Sequence, residues 1–90
     1  MSEDSTYRAA QLDAERALLL KADHDIEDGR TRLRHQQDLL LSLQTAGHDT
    51  GQAERLVQLL RRTLVEWERH RELIEQRVAY LESAPDAAKG

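Results

Sequence analysis

The sequence predicts an all-α protein, an antiparallel two-helix coiled-coil hairpin that dimerises into a four-helix bundle. Two heptad stripes flank one strong turn signal, Gly47-His48-Asp49-Thr50-Gly51. Leu, Ala, Glu, Gln and Arg dominate a chain with no Phe and one Pro, a composition that favours long helices over sheet. Apolar residues also spread beyond each stripe, over a wider arc than one partner helix can cover.

The first helix is expected over residues 7–46, after an N-terminus (1–6) that reads as frayed, with Asp4 or Ser5 as N-cap. Within it Leu12, Leu19, Ile26, Leu33 and Leu40 form one row of seven-residue spacing. Glu15, Ala22, Gly29, Gln36 and Leu43 form the row beside it. Gly29 is the weak point, because a glycine inside a helix costs about 1 kcal/mol relative to alanine. The turn occupies 47–51, where Gly47 suits the left-handed position that ends a helix. Asp49 or Thr50 should cap the second helix, and Asp49 with Gln52 has capping-box spacing.

The second helix is expected over 51–83, because Pro85 forbids much further extension. Its seam is Val57, Leu60, Leu64, Trp67, Arg71, Ile74, Val78 and Leu81, at alternating spacings of three and four. Only Arg71 is polar, and it should either snorkel to solvent or pair with Asp25 or Glu27. The tail, 84–90, reads as disordered.

A turn this short makes the helices antiparallel neighbours. Folding about residues 48–50 sets Leu43 against Ala53 to Val57, Leu33 against Leu64 to Trp67, and Leu19 against Val78 to Leu81. Gly29 then falls opposite Trp67 to Arg71, so the small row of the first helix meets the bulkiest seam residues of the second. The intrachain seam is therefore Leu19, Ile26, Gly29, Leu33, Leu40 and Leu43 against that of the second helix. Leu20, Leu41, Leu59 and Leu73 are left over as a candidate association surface, which a second copy or another helical protein would cover.

Ninety residues with no Cys make one small domain that no disulfide can staple, too short to enclose a deep enzymatic pocket. No run approaches the ~18 apolar residues of a membrane span, and Met1 to Thr6 is acidic and polar, unlike a signal peptide. Cytoplasmic residence is the expectation. A formal charge of −4 disfavours nucleic acid and anionic membranes as partners.

Three clusters could carry chemistry. Asp23-His24-Asp25-Ile26-Glu27-Asp28 places His24 and Asp28 on one helix face, but two ligands do not make a metal site. No Glu has a His three residues later, which di-metal bundles require, so a solvated acidic face is expected. His70 on a helical hairpin suggests the phosphoacceptor of sensor kinases, yet the sequence after His70-Arg71 lacks their pattern, and an imidazole bonded to Glu66 is the plainer reading. Arg30, Arg32 and Arg34 opposite Arg61, Arg62, Arg69 and Arg71 could form a basic belt for phosphate, but Glu66, Glu68 and Glu72 interleave with it. No catalytic residue, cofactor or metal is therefore assigned, and a non-enzymatic interaction module, an adaptor or regulator, is the expected role; phosphotransfer through His70 and nucleic-acid association through the arginine belt are the alternatives.

The run Lys21-Ala22-Asp23, the turn Gly47-His48-Asp49-Thr50, Leu60 to Leu64 and His70-Arg71 together resemble short uncharacterised helical-hairpin proteins of alphaproteobacteria. The resemblance spans roughly residues 20–75, a domain-sized stretch. It implies a similar hairpin and no particular activity.

Overall fold

The computed structural model describes residues 3–83, with side chains from Ser5 onward. Helix α1 runs Glu3–Thr45 and helix α2 runs Gly51–Ser83, and they pack side by side as an antiparallel hairpin. The molecule is a rod, 69 × 15 × 14 Å. Its length is that of α1 itself, since 43 residues rise about 65 Å at 1.5 Å each. No helix among the described residues is long and apolar enough to cross a membrane.

The helix starts earlier than expected. Residues 3–6 are helical, so Asp4 and Ser5 lie inside α1 and neither is its N-cap. Nothing in the sequence Glu3-Asp4-Ser5-Thr6 breaks a helix, since it holds neither Pro nor Gly. The expected disorder of 84–90 lies outside the described residues.

The turn is built by hydrogen bonds that close both helix ends. Gly47 adopts φ +74°, with its N–H donating to Gln44 O (3.2 Å) and the His48 N–H donating to Leu43 O (3.0 Å). These two bonds are the Schellman pattern, which satisfies trailing carbonyls and needs the left-handed residue that glycine supplies without steric cost. At the start of α2, the Thr50 carbonyl accepts from Glu54 N–H (2.9 Å), so Thr50 is the N-cap residue. The Asp49 side chain helps from one position earlier. Its Oδ1 accepts from the Gly51 N–H at 3.1 Å, an Asx turn in place of the expected capping box with Gln52.

Five apolar side chains form the core: Ile26, Val57, Leu64, Ile74 and Val78. All five are seam residues, and Gly29 is buried with them. Leu19, Leu33, Leu40, Leu43, Leu60 and Leu81 are half-buried, as expected of a seam that only one neighbouring helix covers. Trp67 stays at the seam edge, 37% exposed.

The register places α2 about one helical turn further along than the folding point suggested. A Cβ at Gly29 would stand 3.3 Å from Trp67 Cζ3, the residue expected opposite it, and 2.9 Å from Leu64 Cδ2, so the glycine faces Leu64 on the turn side of Trp67 in place of Arg71 on the far side. Asp23 pairs with Arg71 and Glu15 with Arg77, in the same register. The reason lies in the turn, whose Schellman closure ends α1 at Thr45 and centres the fold earlier than residues 48–50.

Candidate association surface

The seam defines two flanks, because residues seven apart stack in rows along each helix and the rows beside the seam point to opposite sides of the hairpin. One flank is charged. Arg16 Nη2 meets Glu82 Oε2 at 2.8 Å across the helices, and Arg71 bridges Asp23 on α1 and Glu75 on α2 (2.8 Å to the latter). The Asp23, Arg30, Glu68, Arg71 and Glu72 side chains line one open cavity on this side with Ile26 at its floor.

The other flank is the more apolar one, carrying five of the seven exposed leucines with charged residues between them. Leu39 and Leu43 of α1 and Ala53 and Leu56 of α2 line a shallow cavity near the turn. Gln11, Ala14, Tyr80 and Leu81 line another of about 310 Å³ near the open end, crossed by the pair Glu15 Oε1 to Arg77 Nε at 3.1 Å. Leu18, Leu59 and Leu73 fall in the same rows as these residues and are exposed, at 45%, 54% and 54%. The Glu15–Arg77 pair was not foreseen. Its only trace in the sequence is that Glu15 stands in the small row of α1, where a carboxylate must find a cation to lie near the seam.

The four leucines expected to act together are divided between the flanks. All are exposed, Leu20 at 72%, Leu41 at 62%, Leu59 and Leu73 at 54% each. Leu20 and Leu41 share the charged flank of α1, whereas Leu59 and Leu73 share the apolar flank of α2. Exposure alone could not sort them, because both flanks are solvent-accessible and only the helix pairing gives each a side.

Arg71 takes Asp23 as partner, not Asp25 or Glu27. Asp23 stands beside the seam on the side where Glu75 lies, while Asp25 belongs to the opposite flank and is engaged by Lys21 Nζ at 2.8 Å. Hydrogen bonds to Asp23 first and Glu75 second hold the guanidinium pKa above its ordinary value. The folded pKa being the higher one, this contribution is fully present below the unfolded pKa and is lost only in strongly alkaline solution. Because Arg71 interrupts an apolar stripe, Arg71→Leu is expected to leave the hairpin folded with an equal or higher melting temperature by circular dichroism. A clear drop in melting temperature would show that the bridge is needed to hold the register.

The remaining candidates are spread along the surface. His24 Nδ1 lies 3.4 Å from Asp28 Oδ2 on the helix exterior. His70 is exposed, and its expected partner Glu66 lies instead 3.6 Å from Arg69 Nη1. The guanidinium carries a permanent charge and a planar fork of donors that suits a carboxylate, so Arg69 is the stronger partner for it. Among the described residues no three His, Cys, Asp or Glu side chains gather as a metal site. The arginines of the middle do not form a uniform belt, since Arg71 and Arg69 are engaged by carboxylates and Trp67, which stands between Arg62 and Arg69, turns its ring edge to Gly29.

Compared with known proteins, the chain matches no family model, and no significant match was found among curated proteins or solved structures.

Proposed function

We propose that this chain is a non-enzymatic protein–protein interaction module, a small cytoplasmic adaptor or regulator that works through helical association, first with a second copy of itself. One observation carries the reading: five side chains are buried in the hairpin while eleven large apolar side chains are exposed among the described residues. Ordering some eighty residues costs conformational entropy that five buried side chains offset only thinly. Burying the exposed leucines and tyrosines against another helical pair supplies the missing apolar contact, which is the logic of a four-helix bundle.

Sedimentation equilibrium is expected to give about twice the 10.3 kDa chain mass at micromolar concentration, with melting temperature rising with concentration. A monomer that stays fully helical on dilution would overturn the proposal.

A further inference from the structure

We propose that the apolar flank is the dimer interface and that the second copy lies on it end for end, about a two-fold axis crossing the rod at the level of Gly29 and Trp67. The proposal rests on self-association and adds which face is used and in which direction. On α1, the flank carries the row Leu18, Asp25, Arg32, Leu39. Reversed about its midpoint, beside Gly29, this row is complementary to itself: leucine meets leucine, and Asp25 meets Arg32 of the second copy. On α2, the row Leu59, Glu66, Leu73 reverses about Glu66, again setting leucine on leucine. The Gly29–Trp67 contact places these two midpoints at one level of the rod, so a single axis serves both rows.

Charge favours this direction over its opposite. The other face-to-face two-fold, with both copies pointing the same way, sets α1 on α2 of the second copy and brings Leu18 to the level of Arg77, Asp25 to that of His70 and Arg32 to that of Thr63. End-for-end stacking gives instead leucine on leucine and two Asp25–Arg32 ion pairs. The axis itself brings Asp28 and Glu66 up to their own copies, with Arg32 and Arg69 within a turn of them, Arg69 already 3.6 Å from Glu66. The area is sufficient, since a face 69 Å by 15 Å spans on the order of 1,000 Å² and stable interfaces need about 800 Å² per partner.

The test is a charge exchange in the full chain. Asp25→Arg and Arg32→Asp are each expected to weaken the dimer by on the order of a hundredfold, and the double variant to restore it to near the parent value, because only end-for-end stacking pairs these two positions. Circular dichroism checks that each variant remains helical. In a chain without cysteine, mixing Leu18→Cys chains with Leu39→Cys chains should give an oxidised cross-linked heterodimer, while neither variant alone cross-links. Single variants that dimerise like the parent, or a double variant that stays weakened, would overturn this interface. If Leu20→Glu with Leu41→Glu separates the copies while Asp25→Arg does not, self-association stands and the charged flank is its site. A parent chain that is monomeric removes the functional proposal together with this one.

Discussion

Ile74→Ala is expected to cost about 3 to 4 kcal/mol, within the range for truncating a buried isoleucine. Ile74 is the most enclosed large side chain in the hairpin, 1% exposed, at the centre of the Leu64–Ile74–Val78 stretch of α2. Removing three carbons there opens a cavity between two rigid helices, whose backbones cannot move together without disturbing the flanking ion pairs of Arg71 and Arg77. With so few other buried side chains to share the load, the loss is a large part of the total stability of a domain this size. Urea denaturation followed by circular dichroism, at one fixed protein concentration, measures it. Ile74→Val should cost about 1 kcal/mol by the same reasoning. A loss below about 1 kcal/mol for Ile74→Ala would show that the helices close over the gap.

Gly29→Leu is expected to destabilise by about 2 kcal/mol even though leucine is the better helix former by roughly 1 kcal/mol. The space is already taken. A Cβ alone would come within 2.9 Å of Leu64 Cδ2, and Leu64 is a buried core residue with little room to retreat. The remaining atoms of a leucine would have to enter the gap held by the Trp67 ring. Gly29→Ala sits near the balance point, because the propensity gain of about 1 kcal/mol opposes a clash that a few tenths of an ångström at Leu64 would relieve. Thermal melts and Trp67 fluorescence read both variants, since the indole edge lies at 3.3 Å from the new Cβ. Trp67→Ala should then cost about 2 kcal/mol, less than the ~3–5 kcal/mol of a fully enclosed aromatic, because the ring is 37% exposed. A Gly29→Leu chain that melts higher than the parent would mean that the helices separate at this level in solution.

The two helices, the turn between them and the residues of the seam are legible in the chain alone. Each comes from local physics: seven-residue spacing places a stripe on one face, Gly47 supplies a left-handed residue at no steric cost, and no proline interrupts residues 3–83. The same locality made the N-terminus harder to read, since Asp4 and Ser5 have capping chemistry whether or not the helix continues through them. How one helix is set against the other emerged only with the packed hairpin. The turn geometry shifted α2 by about a turn, chose Asp23 over Asp25 and Glu27 for Arg71, and joined Glu15 to Arg77. It also sorted the exposed leucines, sending Leu20 and Leu41 to one flank and Leu59 and Leu73 to the other. A heptad pattern fixes angles around a single helix axis, but whether two residues on different helices share a side depends on the pairing of the axes, and that is set by packing at Gly29, Leu64 and Trp67.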